Sequence, residues 1–337
     1  MNIQEALATV VDHIDLSTEQ MNDVMRQIMT GGATDAQIGG FLVAPRMKSE
    51  SLDEITGAAM VMRELVTPVV IDNRRHLVDI VGTGGDGANL FNVSTASAFV
   101  AAAAGCRVAK HGNRSVSSKS GSSDLLEEAG IRLDLSPNEV AQCVDAVGVG
   151  FMFAPSHHSA MKYAIGPRKE LGMRTLFNIL GPMTNPAGVK RQLIGIARPA
   201  YVPIYAAAKA KLGTERTFIA SGDEGLDELS LAGGNELADV QGNDFEMRRV
   251  LAVHANLPHA PVEAIRGGDP RHNARALEAL LAGTPGPYRD AVLFNAAATL
   301  IVADRTDDWT EGAEIAAEAL DSGKARTLLE SWIAMAA

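Results

Sequence analysis

Residues 77–87 read Leu-Val-Asp-Ile-Val-Gly-Thr-Gly-Gly-Asp-Gly, a short apolar run that passes into a loop with four glycines. An apolar run of this length, bounded by glycine, predicts a buried strand. Glycines that follow a strand let the backbone approach a phosphate group closely. The stretch therefore predicts a buried strand with an anion-binding loop at its carboxyl end.

The glycine loop at 82–87 also has the G-x-G-x-x-G spacing of dinucleotide-binding proteins, which alone is weak evidence. Two features argue against a nicotinamide cofactor. That motif opens directly into a helix, whereas residues 89–93 separate this loop from Ser94 and Thr95, which could cap a helix. The motif also needs an acidic residue about 20 positions later for the ribose hydroxyls, and none follows. An NADP-dependent oxidoreductase with Arg114 at the extra phosphate remains an alternative.

Around this loop, the spacing of apolar residues predicts an α/β protein with a small all-helical N-terminal domain. Residues 3 to about 66 repeat apolar side chains every three or four positions, as helices do, and Pro68 ends the pattern. Ser136-Pro137-Asn138-Glu139 is a capping box that begins another helix. Short apolar runs alternate with helical stretches, so we expect a mostly parallel sheet covered by helices. The strand candidates are 77–81, 107–110, 149–153, 192–197 and 216–220, followed by a helical tail from about 270 to 334.

Composition and charge exclude several classes of protein. The 337 residues carry 30 Lys and Arg against 41 Asp and Glu, a net charge of −11, and only 4% are aromatic, which argues against a nucleic-acid binder. Cys106 and Cys143 lie in apolar stretches and are expected to be free core thiols of a reducing cytoplasm. The N-terminal segment lacks the basic residues that begin a signal peptide, so we expect none. The longest apolar run, 96–106, is well short of the about 18 residues of a membrane span.

One segment departs from the acidic composition. Residues 87–123 contain no Asp or Glu, although 41 acidic residues in 337 would place about 4.5 there by chance. The same window holds Arg107, Lys110, His111, Arg114 and Lys119, and six serines lie between 115 and 123. Lysine, hydroxyls and backbone N–H groups are suited to a polyanion. The window therefore favours a phosphate-binding loop over its alternative, a solvated Ser/Gly loop.

A cluster of carboxylates, Asp223, Glu224, Asp227 and Glu228, follows the strand candidate at 216–220. Carboxylates that lie this close repel one another unless solvent or a cation separates them. Mg²⁺ is usually shared between one or two carboxylates and the phosphates of a substrate. The cluster is thus a candidate Mg²⁺ site, with a charged surface turn as the alternative.

Five segments together resemble the anthranilate phosphoribosyltransferases: GTGGDG at 82–87, NVSTA at 92–96, KHGNRSVSSKSGSSD at 110–124, RTLFNILGPMTNP at 174–186 and GLDELS at 225–230. The resemblance implies a helical domain over 1–70, joined by part of 160–185, and an α/β domain over 71–337 of the type found in nucleoside phosphorylases and phosphoribosyltransferases. It implies transfer of the phosphoribosyl group of phosphoribosyl pyrophosphate (PRPP) to anthranilate in tryptophan synthesis. It also implies a homodimer, and it leaves open an amidotransferase partner.

The resemblance assigns residues to three parts of a site and implies Mg²⁺ as the cofactor. The PRPP residues are Gly82, Gly85, Asp86, Leu90, Asn92, Val93, Ser94, Thr95, Lys110, His111, Gly112, Asn113, Arg114, Ser115, Val116, Ser117, Ser118 and Ser122. The anthranilate residues are Gly82, His111, Asn113, His158, Arg168 and Pro182. The metal residues are Ser94, Asp227 and Glu228. Leu90 replaces a residue that is polar in many relatives.

No acid/base pair stands out in the sequence, which suits an arylamine acceptor that is neutral at pH 7. The Arg168 guanidinium could bind the benzoate carboxylate in a bidentate manner, or it could be a surface charge at a helix N-terminus. His111 could line the acceptor path or bond to backbone, and His157 is expected at the surface. Two other functions remain alternatives: a pyrimidine nucleoside phosphorylase-like enzyme, and a non-catalytic nucleic-acid-binding relative.

Overall fold

The structure is a computed structural model that describes residues 1–114 and 119–336. The described residues form fifteen α-helices and seven strands. The helices are α1 (Ile3–Val11), α2 (Thr18–Met29), α3 (Asp35–Lys48), α4 (Leu52–Leu65), α5 (Val93–Ala103), α6 (Ser122–Glu128), α7 (Pro137–Val147), α8 (Ala154–His157), α9 (Lys162–Leu171), α10 (Leu176–Leu180), α11 (Val202–Lys211), α12 (Pro270–Leu281), α13 (Pro287–Val302), α14 (Trp309–Asp321) and α15 (Lys324–Ala336). The strands are β1 (Leu77–Gly82), β2 (Arg107–Gly112), β3 (Val149–Phe153), β4 (Arg191–Gly195), β5 (Arg216–Gly222), β6 (Asn235–Gln241) and β7 (Asp244–Val250).

The N-terminal region is all-helical, as its apolar spacing predicts. Each of α1 to α4 begins with a capping box, formed in turn by Asn2, Ser17, Thr34 and Ser51. A capping box satisfies backbone N–H groups that a helix leaves unpaired at its start. Helix α9, which lies far along the chain, packs against α2 and α3.

The sheet has the strand order β3-β2-β1-β4-β5-β6-β7 in the described residues. Strands β1 to β5 are parallel to one another, and all five coincide with strand candidates, whereas β6 is antiparallel to β5. The chain runs outward from β1 through β2 to β3 and then returns to the other side of β1 with β4. In such sheets ligands bind outside the carboxyl ends of the strands, at the point where the strand order reverses. The segments that follow β1, β2, β4 and β5 all leave the sheet at that end.

The antiparallel hairpin β6–β7 was not predicted. Six of the seven residues of β7 are exposed, so this edge strand lacks the apolar run that identifies a buried one. Gln241 pairs with Asp244, which leaves Gly242 and Asn243 as a two-residue turn, with a φ of 59° at Gly242. A Gly-Asn pair between two runs is a hairpin signal, and it could have identified these strands.

Helices cover the remaining sheet surface. Helix α13 packs against α5 and α14, and every side chain from Ala291 to Val302 in it is buried.

Cys106 and Cys143 are free and buried, as expected for core thiols. Helix α5 begins at Val93, after Asn92, and so before the two residues expected to cap it. Within the described part of the chain, no helix has both the length and the apolar character required to cross a membrane.

Candidate functional site

The glycine loop lies against Asp227, which belongs to the segment after β5. The N–H of Gly84 donates to Oδ2 of Asp227 at 2.5 Å. A Cβ atom at Gly82 would overlap with the Asp227 carboxylate, and one at Gly195 on β4 would overlap with the Asp227 backbone. Glycine at both strand ends therefore allows the carboxylate segment to reach the loop.

Glu228 lies at the N-terminus of α5. Its Oε1 accepts the backbone N–H of Ser94 at 3.0 Å. The first turn of a helix has unpaired N–H groups and a partial positive charge, which favour anions. Because α5 begins at Val93 and not directly after Gly87, the loop does not have the strand–loop–helix geometry of dinucleotide-binding proteins.

Lys110 is the cation at the centre of this arrangement. Its side chain is buried, and Nζ donates to the carbonyl of Ile80 at 2.6 Å and to Oγ of Ser94 at 3.4 Å. Burial lowers the pKa of Lys110, and Asp79, Glu228 and Asp227 oppose that shift. The lysine therefore joins the end of β1 to the first turn of α5, where the sequence predicts phosphate binding.

The paired carboxylates have the properties of an Mg²⁺ site. Burial raises the pKa of Asp227 to about 7, with a further contribution from Asp86. Burial also raises the pKa of Glu228 to about 8, with a further contribution from Asp227. Such carboxylates are stabilised by a cation between them. The part of the chain that the structure describes has no group of three or more His, Cys, Asp or Glu able to hold a metal ion. An ion there would complete its coordination with hydroxyl, water and phosphate oxygens, as Mg²⁺ commonly does.

Two histidines face each other on the other side of β2. The ring centroids of His111 and His158 are 5.1 Å apart, and Nδ1 of His111 lies 3.2 Å from the carbonyl of Gly181. Burial lowers the pKa of His111 well below its usual range and lowers that of His158 to about 4. Nε2 has no hydrogen-bond partner in either ring among the described residues. Both rings are therefore neutral at physiological pH.

The prediction that His157 lies at the surface is wrong. Its side chain is 1% exposed, and Nδ1 lies 3.3 Å from the carbonyl of Thr67. The short helix α8 turns the ring inward against the segment that follows α4. This contact gives His157 a structural explanation, and His157 also lies near enough to His111 and His158 to contribute to their lowered pKa values.

Arg168 lies in the last turn of α9, so the alternative of a charge at a helix N-terminus is wrong. Its guanidinium carbon is 5.2 Å from the centre of the Phe177 ring. Burial lowers its pKa, and no carboxylate of the described chain forms an ion pair with it. A partly buried guanidinium without an anion is a suitable partner for a ligand carboxylate.

The other predicted anthranilate residues, Asn113 and Pro182, form hydrogen bonds within the protein. Asn113 is exposed, and its Oδ1 accepts the N–H of Arg114 at 2.8 Å. Pro182 is buried, and its carbonyl accepts Nε2 of Gln192 at 2.9 Å. Their contact with anthranilate stays a prediction.

Arg114 is engaged with carboxylates of α6. Its guanidinium forms ion pairs with Asp124 at 3.0 Å and with Glu127 at 2.6 Å, both on α6. The acid-free window ends immediately before these residues, and the fold brings them back to it. A contact between Arg114 and the phosphates of PRPP stays a prediction.

The remaining PRPP candidates surround the start of α5. Oδ1 of Asn92 accepts Nδ2 of Asn273 at 2.9 Å, and Nδ2 of Asn92 donates to the carbonyl of Ser120 at 3.2 Å. Oγ1 of Thr95 is buried without a partner in the described chain. Leu90 forms a bridge with Arg266 and packs against the core. Asp86 accepts the N–H of Ala88 through Oδ1, Ser122 begins α6, and Ser115, Val116, Ser117 and Ser118 lie outside the described residues.

The second acidic pair is separate from this site. Asp223 forms an ion pair with Arg249 and accepts the N–H of Gly234 at 3.0 Å. Asp223 and Glu224 are exposed at the turn between β5 and β6. The structure thus distinguishes them from Asp227 and Glu228, which face the glycine loop and α5.

Two residues with clear roles in the site were missed. Arg174 belongs to a quoted motif, yet no role was assigned to it; its guanidinium donates to the carbonyl oxygens of Gly84 and, at 3.5 Å, Thr83. Asp79 is buried within β1, and its Oδ1 accepts the N–H of His111 at 3.1 Å. A carboxylate inside an apolar strand is itself a signal, because a buried charge needs partners.

Comparison with known proteins agrees with this geometry. Residues 4–66 match the helical bundle domain of the glycosyl transferase family, and residues 74–326 match its a/b domain. The anthranilate phosphoribosyltransferase of Erythrobacter litoralis is 58% identical over 332 residues, which cover 98% of this chain and 99% of the relative.

Solved structures of the same enzyme superimpose closely. The anthranilate phosphoribosyltransferase of Thermus thermophilus is 40% identical, with a TM-score of 0.92 over 98% of both chains. That of Saccharomyces cerevisiae, solved in complex with PRPP and Mg, is 28% identical, with a TM-score of 0.90 over 99% of this chain and 97% of the other.

Proposed function

The chain belongs to the glycosyl transferase family and, within it, to the anthranilate phosphoribosyltransferases, and we propose that it catalyses their reaction in tryptophan biosynthesis. The phosphoribosyl group of PRPP moves to the amine of anthranilate, giving N-(5-phosphoribosyl)anthranilate and pyrophosphate. One observation carries the proposal: the glycine loop, Lys110, the first turn of α5 and the carboxylates of Asp227 and Glu228 meet at one end of the sheet.

Departure of pyrophosphate is the step that this end of the sheet supports. Breaking the bond from the anomeric carbon leaves positive charge on the ribose and negative charge on the phosphates. Lys110 and the N–H groups at the start of α5 are preorganised to stabilise that negative charge. Asp227 and Glu228, with Ser94, would hold Mg²⁺, which supplies further neutralisation of the leaving group when it is bound.

The acceptor side needs binding and alignment more than proton transfer. An arylamine is neutral at pH 7 and can attack without prior deprotonation. The neutral rings of His111 and His158 offer a surface without charge, and Arg168 offers a guanidinium for the benzoate carboxylate. Holding the amine in line with the anomeric carbon would supply much of the rate enhancement.

The direct test is loss of anthranilate fluorescence on incubation with PRPP and Mg²⁺. The wild-type protein should consume anthranilate only when both are present. Lys110→Ala and Ser94→Ala should weaken PRPP binding in calorimetric titration while the circular dichroism spectrum stays that of the wild type. Turnover of a pyrimidine nucleoside with inorganic phosphate, or micromolar binding of NADPH, with no loss of anthranilate would overturn the proposal.

The proposal includes a homodimer formed through the helical bundle, in the cytoplasm. Exposed apolar side chains on or beside this bundle support it, including Ile14 at 56%, Met47 at 76% and Ile165 at 55% exposure. Where such side chains form one patch, they are suited to an interface with a second copy. Light scattering of the purified protein, alone and mixed with an anthranilate synthase amidotransferase subunit, tests both the dimer and binding of that subunit.

We also propose the division into a helical domain over 1–70, completed by α9, and an α/β domain over the rest.

A further inference from the structure

The peptide unit of Gly84 is held from both sides. Its N–H donates to Oδ2 of Asp227 at 2.5 Å, and its carbonyl oxygen accepts a hydrogen bond from the guanidinium of Arg174. The preceding residue is held in the same way, because the N–H of Thr83 donates to the carbonyl of Gly195 at 3.0 Å and its own carbonyl accepts from Arg174 at 3.5 Å. The start of the glycine loop therefore has little freedom while Arg174 is in place.

Gly85 accommodates this guanidinium. A Cβ atom at position 85 would overlap with Nη1 of Arg174, and the residue has a φ of 79°, which favours glycine. The absence of a side chain here is thus required by Arg174 as well as by the backbone. Gly84, whose φ is also positive, has open space at the position of a Cβ atom.

Arg174 also links the loop to the helical bundle. Nη1 of Arg46, on α3, donates to the backbone carbonyl of Arg174 at 2.7 Å. Arg174 forms no ion pair within the described chain, although Asp227 and Asp86 lie near enough to attract its charge and Arg46 and Arg198 near enough to repel it. The hydrogen bonds of its guanidinium in the described chain therefore go to the two loop carbonyls.

We propose that Arg174 is a positioning residue for phosphoribosyl transfer. It holds the carbonyls of Thr83 and Gly84, so that the glycine loop keeps the conformation that receives PRPP and Asp227 keeps the orientation suited to a cation. Arg46 transmits the position of α3 to this contact. The inference rests on the proposed function, since the ligand in question is PRPP.

The test compares the steady-state constants of Arg174→Ala, Arg174→Lys and Arg46→Ala with those of the wild type. Arg174→Ala should raise KM for PRPP about tenfold or more and raise the Mg²⁺ concentration for half-maximal rate, while KM for anthranilate changes less than about twofold. Arg174→Lys should recover part of the loss, because an ammonium can donate to one of the two carbonyls. Arg46→Ala should shift the same constants in the same direction by a smaller factor.

Arg198→Ala is the matched control, since it removes a positive charge near Arg174, and among the described residues Arg198 has no hydrogen bond to the glycine loop. Equal effects of Arg198→Ala and Arg174→Ala would overturn the proposal in favour of general charge attraction. An unchanged KM for PRPP in Arg174→Ala would also overturn it, as would a parallel rise of both KM values with a lower melting temperature. If Arg174→Ala does not fold, Arg174→Lys and Arg46→Ala decide by the same criteria.

Hydrogen exchange of the substrate-free protein separates this proposal from the proposed function. Amides of residues 83–87 should exchange faster in Arg174→Ala than in the wild type, whereas amides of β1 should be unchanged. Unchanged exchange at 83–87 would overturn the positioning role. A wild-type protein that does not consume anthranilate would overturn the function while leaving the exchange result valid.

Discussion

Oδ1 of Asp79 accepts the backbone N–H of His111 at 3.1 Å, which joins β1 to the residue after Lys110. Oδ2 of the same carboxylate accepts Nδ2 of Asn185 at 2.8 Å and Nε2 of Gln192 at 3.1 Å. Burial raises the pKa of Asp79, and Lys110 and these donors oppose that shift. One carboxylate thus connects β1, β2 and β4 beneath the site.

Asp79→Asn should destabilise the protein. The amide N–H groups of the substituted side chain would face the side-chain N–H groups of Asn185 and Gln192, which now donate to the carboxylate. At least one of these buried donors would then lack an acceptor. We expect the free energy of unfolding to fall by about 1–3 kcal/mol, as measured by urea denaturation at pH 7. Asp223→Asn is the control, since its ion pair with Arg249 is exposed and should contribute less than about 1 kcal/mol. Equal losses of unfolding free energy in the two variants would show that the buried hydrogen bonds of Asp79 contribute no more than an exposed ion pair.

The sequence predicts the strands of the sheet best where the strand is buried on both faces. Strands β1 to β5 are short apolar runs because helices cover both sides of them, and that pattern is visible locally. Strand β7 is an exposed edge with four charged residues among its seven, so its pairing with β6 is decided by the hairpin turn and not by burial. The Gly-Asn turn is the sequence signal that could have predicted this hairpin.

The sequence predicts site residues that lie in short motifs of a suitable residue type. It misses those whose role depends on contacts with residues far away along the chain. Lys110, Ser94, Asp227 and Glu228 are the residue types that phosphate and Mg²⁺ require, and the structure brings them together. Arg174 contacts the glycine loop across about 90 positions, which no local pattern reveals. The burial of His157 likewise depends on Thr67, which lies far back along the chain.

The pair of neutral histidines should make stability depend on pH. The pKa of His158 is about 4 in the folded protein and about 6.5 in an unfolded chain. Between these values the unfolded state binds the extra proton, so stability falls as pH falls from about 7 to 4. At pH 5 this residue alone should cost on the order of 2 kcal/mol relative to pH 8.

Urea denaturation of the wild type and of His158→Asn at pH 8 and pH 5 isolates this contribution. The loss between the two pH values should be smaller in the variant, because Asn does not titrate. Comparing variant with wild type removes the opposite contribution of Asp227 and Glu228, whose raised pKa values stabilise the fold as pH falls. An identical loss in both proteins would show that His158 takes up its proton in the folded state as readily as in the unfolded one.

Arg168→Ala should raise KM for anthranilate much more than KM for PRPP. A charge-assisted contact with a carboxylate is worth about 1.5–3 kcal/mol, which corresponds to roughly a tenfold to hundredfold increase. Arg168→Lys should recover only part of the loss, since an ammonium cannot form the bidentate contact. Lys169→Ala, next along α9 and exposed, is the control. Wild-type anthranilate kinetics in Arg168→Ala would leave Arg168 with only its contact to Phe177.

The two acidic pairs after β5 should differ sharply in their relation to the metal. Asp227 and Glu228 face the glycine loop and the first turn of α5, and without a cation they would repel the phosphates of PRPP. The double variant Asp227→Asn with Glu228→Gln should therefore lose more than about a hundredfold in kcat/KM and need more Mg²⁺ for half-maximal rate.

The control variant Asp223→Asn with Glu224→Gln should be nearly silent, because both residues are exposed and Asp223 is engaged with Arg249. Mg²⁺ titrations of both double variants at saturating anthranilate measure the difference. Calorimetric binding of PRPP adds a second readout: added Mg²⁺ should strengthen it in the wild type and in the 223/224 variant, and much less in the 227/228 variant. If the 223/224 pair proved essential and the 227/228 pair dispensable, the cation would have to bind at the turn between β5 and β6, away from Lys110 and α5.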